Sequence, residues 1–154
     1  MRILDFLRYD AIISSLEAVS KEQVLDELVG PIAEANPGID RAGLLKTLIS
    51  RESLGSTGIG GGVAIPHGKF EGLDHLVASF GRSSKGVDFS SMDNKPAYLF
   101  FLLVAPRNSA GEHLKALARI SRLFKDPLLK SSLQQAESAD EIYRILEEYD
   151  MRLP

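Results

Sequence analysis

Apolar residues recur at helical spacing near both ends of the chain and crowd into short runs in its middle, which predicts helices flanking a set of strands. Ser20 followed by Gln23 has the form of a capping box, and Val24, Leu25, Leu28 and Ile32 then share one helical face. A helix is predicted from about Lys21 toward Ala35, with Pro31 as a potential kink and Asn36-Pro37-Gly38 as its end. Asp40 can cap a second helix carrying Leu44, Leu45, Leu48 and Ile49, closed by the glycines after Leu54. Strands are expected near 63–66, 75–82 and 97–105, where Val, Ile, Phe and Leu cluster between turn residues. Ser109 with Glu112 repeats the capping-box form before Leu114, Leu117, Ala118, Ile120 and Phe124. Asp126-Pro127 opens a further helix, and Ser138 with Glu141 opens the last, which buries Ile142, Ile145 and Leu146. No repeat or linker divides the pattern, so residues 1–154 read as a single α/β domain.

The longest apolar run, Ala97 to Ala105, is less than half of the ~20 residues a membrane-spanning helix requires. It reads as a buried central strand. Near the start of the chain, Asp5, Arg8 and Asp10 interrupt any stretch resembling a signal peptide, so the expectation is a cytoplasmic protein with no direct membrane insertion. With 44% hydrophobic and 25% charged residues the composition is that of a globular protein. A net charge of −3 argues against a nucleic-acid partner, which would call for a basic footprint. The absence of cysteine removes disulfides, thiolate nucleophiles and cysteine-ligated zinc.

Candidate chemistry concentrates in GSTGIGGGVAIPHGK, residues 55–69, where five glycines between 55 and 62 precede a histidine held between Pro66 and Gly68. Familiar phosphate loops do not fit: a Walker loop would need glycine at Val63 and Ser or Thr at Phe70, and the dinucleotide fingerprint also fails at Val63. A hydrolase elbow around Ser56 would need glycine at Leu54. His67 remains. An imidazole is largely neutral at pH 7 and offers a lone pair without a helping base. Pro66 should hold Ile65 extended and Gly68 should let the chain turn, presenting the ring at the end of a strand. His113 falls in the first turn of a predicted helix, where free N–H groups and the dipole favour an anion. Arg51 can grip phosphate oxygens in bidentate fashion or pair with Glu52 or Asp93. The hydroxyls of Ser56 and Thr57 and the charge of Lys69 could serve the same anion, or belong only to loop and surface. His75 reads as a surface residue.

In these residues the sequence resembles the enzyme IIA family of the bacterial phosphoenolpyruvate-dependent phosphotransferase system, in its fructose/mannitol class and nitrogen-regulatory branch. The resemblance runs through R-E-x-L-G-S-T-G-I-G-x-G-V-A-I-P-H-G-K (51–69), V-D-F-x-x-M-D-N-K-P (87–96) and E-H-L-K-A-L-A-R-I-S-R-L (112–123). It implies a mixed, mainly five-stranded sheet with helices on both sides, and a phosphocarrier that needs no cofactor or metal. His67 matches the family's phosphoryl acceptor, His113 its second site histidine and Arg51 its site arginine. The implied donor is an HPr-like carrier protein, and the implied receiver a regulatory target or a IIB domain. The wording of the glycine segment, with no fused carrier or membrane domain, resembles the nitrogen-regulatory branch. The alternatives are a sugar-specific IIA component that passes phosphate to a IIB cysteine and a non-catalytic binding module. A three-histidine metal site lacks motif spacing.

Overall fold

The computed structural model describes residues Met1–Pro154. After a 3-10 turn (Ile3–Asp5), the elements run β1 (Leu7–Ile13), α1 (Lys21–Ala35), α2 (Arg41–Ser53), β2 (Gly58–Gly60), β3 (Val63–Ala64), β4 (His67–Phe70), β5 (Val77–Val87), β6 (Ala97–Pro106), α3 (Ala110–Leu123), α4 (Pro127–Gln135) and α5 (Ala139–Met151). The sheet is mixed. Its path is β1-β5-β6-β3-β2, five strands, and β4 joins as a sixth beside β6. β1 is parallel to β5, β5 antiparallel to β6, and both β3 and β4 parallel to β6.

Strand β6 explains the long apolar run, because helices cover both of its faces. Leu99, Phe101, Leu103 and Ala105 pack with Ala116, Ile120, Leu129, Leu133, Ile142 and Leu146 from α3, α4 and α5. The alternate residues Phe100, Leu102 and Val104 pack with Val24, Leu25, Leu28, Leu44 and Leu48 from α1 and α2. Two cores therefore share one strand.

Most of the helix starts are made as the capping residues predict. Ser20, Asp40, Asp126 and Ser138 each accept a backbone N–H from their helix, with Gly43 N to Asp40 Oδ1 at 2.9 Å as an example. Ser109 stands at the N-cap of α3, but its hydroxyl makes no capping bond. The reason is conformational: ψ is 43° at Ser109, against 161° at Ser20 and 164° at Ser138, so its side chain is not carried toward the helix start. Helix α1 continues through Pro31. Three strands had no counterpart in the sequence pattern: β1, β4 and β2, the last formed within the glycine run itself.

Candidate functional site

The glycine run is a folded loop with a left-handed tip: Gly60, Gly61 and Gly62 have φ of +91°, +64° and +81°. Three successive residues of that kind explain the density of glycine, since side chains there would be strained. The tip is held from two sides. Asp93 accepts the Gly61 N–H at 3.0 Å, and Lys130 of α4 donates to the Gly61 carbonyl at 3.2 Å. Gly58 has a different reason to be glycine, because a Cβ there would lie 2.4 Å from Ser91 Oγ.

After β3 the chain passes Ile65 and Pro66 and enters β4 at His67, whose backbone registers against Leu103 of β6. Gly68 makes no turn. It continues β4, and its missing side chain lets α2 approach, with Leu48 Cδ2 only 3.3 Å from where a Cβ would stand. The half-buried His67 ring points its Nδ1 at the Ile65 carbonyl, 2.8 Å away. A carbonyl can only accept, so in the neutral ring Nδ1 carries the proton and Nε2 keeps its lone pair.

His113 meets this ring edge to face, with centroids 5.7 Å apart. It is buried within the first turns of α3 rather than displayed at a solvated helix end, and its Nε2 has no hydrogen-bond partner. Burial pushes both imidazoles below their ordinary value. At His67 the Arg51 charge adds to the lowering, while the Ile65 hydrogen bond and the Glu52 charge oppose it. At His113 the neighbouring His67 and Lys69 add to the effect of burial. Arg51 thus bears electrostatically on His67 and Lys69 on His113, and both rings favour the neutral form.

The other expected groups divide. Arg51 pairs with neither Glu52 nor Asp93; its one hydrogen bond is from Nη1 to the Gly55 carbonyl at 2.9 Å, which leaves the guanidinium without a carboxylate. Ser56 and Thr57 are not free phosphate donors. The Ser56 hydroxyl donates to the Phe89 carbonyl at 2.5 Å, and the buried Thr57 hydroxyl donates to Glu52, so both protons are engaged in holding the loop. His75 is exposed and bonded to Asp74. Glu52 carries more than the sequence reading gave it: its buried carboxylate also accepts from the Thr57 N–H and from Lys21 Nζ. No local motif announces that role, since the bond to Lys21 is made only by the packing of α1 against α2.

A neutral imidazole with its lone pair held outward, a second imidazole against it and two cations nearby suit acceptance of an anionic electrophile such as a phosphoryl group. Residues 5–149 match the family described as "Phosphoenolpyruvate-dependent sugar phosphotransferase system, EIIA 2". The chain is 42% identical over 146 residues to a nitrogen regulatory protein of Bradyrhizobium diazoefficiens, covering 95% of each. It is 38% identical over 150 residues to the fructose-specific EIIABC component of Bacillus subtilis, covering 97% of this chain and 24% of that one. Among solved structures, nitrogen regulatory protein IIA-Ntr from Neisseria meningitidis superposes with a TM-score of 0.87 at 35% identity, over 94% of this chain and 98% of that one.

Proposed function

The chain belongs to the EIIA type-2 family of the phosphoenolpyruvate-dependent sugar phosphotransferase system, and from that membership we propose that it is a nitrogen-regulatory phosphocarrier whose acceptor is His67. One observation carries the residue assignment: the Nδ1–H of His67 is engaged by Ile65, so the lone pair lies on Nε2, beside His113. The donor in this reading is an HPr-like carrier bearing a phosphohistidine. His67 Nε2 attacks phosphorus in line, the new N–P bond forms as the donor's N–P bond breaks, and the donor imidazole leaves with the electron pair of that bond. The positive charge that develops on the His67 ring is shared with the Ile65 carbonyl through Nδ1–H. Arg51 and Lys69 offset the charge of the transferred oxygens, and the unpartnered His113 Nε2, in the tautomer that carries its proton there, donates to them. Ser56 and Thr57 shape the loop that brings these groups together and do not touch the phosphate.

Phosphorylation adds close to two negative charges to this face. In this reading the protein is a cytoplasmic regulator read out by its phosphorylation state, and residues 1–154 form one EIIA type-2 unit, a reading supported by the family match over residues 5–149. No helix is long and apolar enough to cross a membrane.

The test supplies phosphoenolpyruvate, the first enzyme of the relay and its carrier, and follows acid-labile phosphate on the protein. His67→Ala is expected to abolish labelling, and retention of the label at an unchanged level removes His67 from the mechanism. His113→Ala is expected to slow labelling by about 100-fold without unfolding the protein. A chase with isolated IIB domains separates the regulatory reading, which predicts inefficient discharge to them, from a sugar-specific role like that named for the Bacillus subtilis relative.

A further inference from the structure

A continuous chain of hydrogen bonds runs from a buried ion pair to the ring of His67. Lys21 Nζ donates to Glu52 Oε2 at 3.0 Å. The other carboxylate oxygen accepts the Thr57 hydroxyl and, at 3.1 Å, the Thr57 N–H. The Thr57 carbonyl accepts the Ile65 N–H at 3.0 Å, and the Ile65 carbonyl accepts His67 Nδ1–H at 2.8 Å. Each link orients the next. The loop has other ties, Ser56 to Phe89, Gly58 to Met92, Gly61 to Asp93 and Lys130, and Gly62 to Tyr98 and Leu99, but none of these bonds Ile65 itself; beside it, Leu103 donates to the Pro66 carbonyl at 3.0 Å.

We propose that Glu52, with Thr57 as its intermediary, is a positioning residue that sets the His67 tautomer and so keeps the lone pair on Nε2. This rests on His67 being the phosphoryl acceptor. The physical need is local: β3 and the Leu103 N–H bond to the Pro66 carbonyl hold the chain on either side of Ile65, but the Ile65 N–H is anchored to Thr57, and the segment after Thr57 carries glycine at four of the next five positions, so Thr57 needs an anchor of its own. Glu52 is suited to the task because its carboxylate is buried and doubly engaged, with the counter-charge of Lys21 itself seated 4.8 Å over the Phe89 ring. A neutral acceptor with no counter-charge would hold the Thr57 side of the loop less firmly. Imidazole orientation by a neighbouring acceptor is a large lever in catalysis, since the wrong tautomer removes the nucleophilic lone pair from the reacting position.

The experiment uses the full-length protein with ¹⁵N-labelled histidine rings, read by NMR without any phosphoryl donor, and the same proteins in the transfer assay. Wild type is expected to show His67 as a single Nδ1–H tautomer. Thr57→Val retains the N–H bond to Glu52 but loses the hydroxyl bond; it is expected to mix the two tautomers and lower kcat about tenfold, with KM for the carrier unchanged. Thr57→Ser is expected to restore both readings. Glu52→Gln keeps an acceptor for Thr57 but loses the charge that Lys21 pairs with, and is expected to fall between wild type and Thr57→Val. A single Nδ1–H tautomer in Thr57→Val overturns the proposal, whether or not its melting temperature falls, because the network is then only structural. If Glu52→Gln does not fold, Thr57→Val and Thr57→Ser decide alone. Should His67→Ala still accept phosphate, the phosphocarrier assignment of His67 fails, whereas the tautomer measurement on unphosphorylated protein still reports whether Glu52 and Thr57 set the ring.

Discussion

Two buried carboxylates sit in similar chemical settings and serve different ends. Asp150 of α5 accepts the Ile3 N–H at 2.7 Å and Arg119 Nε at 2.6 Å, while Arg119 also reaches the Asp150 carbonyl at 2.9 Å. Glu52 of α2 likewise accepts a backbone N–H and a cation. The Asp150 cluster ties the first turn of the chain to α3 and α5, and the bonds named end there. The Glu52 cluster continues through Thr57 and Ile65 to the ring of His67, the proposed acceptor. A buried ion pair thus has no fixed meaning; what decides is which segment its last hydrogen bond holds.

The sharpest way to break this comparison is Asp150→Ala. It strands Arg119, whose side chain is 11% exposed, and is expected to cost about 3–5 kcal/mol in denaturant unfolding. Transfer per folded molecule should not change, and a loss of kcat matching that of Thr57→Val would erase the distinction between the two clusters.

Gly58→Ala tests the other side. Its Cβ would meet Ser91 Oγ at 2.4 Å and the Ser91 backbone at 3.0 Å, so about 1–3 kcal/mol of stability is expected to be lost. Here a fall in transfer should accompany the fall in melting temperature, because Gly58 adjoins Thr57.

Helix starts refine the contrast at smaller scale. Ser138→Ala removes a working cap from α5 and is expected to cost about 1 kcal/mol. Ser109→Ala, at the uncapped start of the helix bearing His113, should fall within about 0.5 kcal/mol of wild type by thermal melting.

The pH response is the gentlest probe. Both imidazoles titrate below their ordinary value of about 6.5 in the fold, so the unfolded chain takes up protons first as pH falls. Their contribution to stability is complete above that value and is lost as pH drops toward the folded values. If His67 is the acceptor, its ring stays neutral and the rate of phosphoryl acceptance should remain level through pH 6.5 and decline only below it. A midpoint at or above 6.5 in the pH profile would count against a desolvated acceptor.

Much of this was legible in the chain, for reasons that differ by element. Strand β6 was readable because both faces are buried, and four caps were readable because Ser20, Asp40, Asp126 and Ser138 take the extended geometry that capping uses. Strand β1 escaped because Arg8, Tyr9 and Asp10 are exposed in succession and its register with β5 shifts between Leu7 and Ile12, which destroys the alternation. β4 is written His-Gly-Lys-Phe, with no strand signal of its own, and exists because β6 offers it a ladder. His67, His113 and Arg51 could be picked out by resemblance, and the structure brings them together. The fate of the Ser56 and Thr57 hydroxyls could not be read, since Phe89 and Glu52 become their partners only through folding.

The pairing of β4 with β6 has a consequence for how the segment opens. Reactive segments are commonly drawn from the parts of a fold that open most readily. Here the strand that begins with the proposed acceptor, His67, is laid along the most enclosed strand of the molecule, from Leu103 to Pro106. β4 pairs on that side alone, so its amides that face β6 should exchange far more slowly than those on its open edge, and hydrogen exchange read residue by residue along 67–70 shows how much of the segment's order is lent by β6.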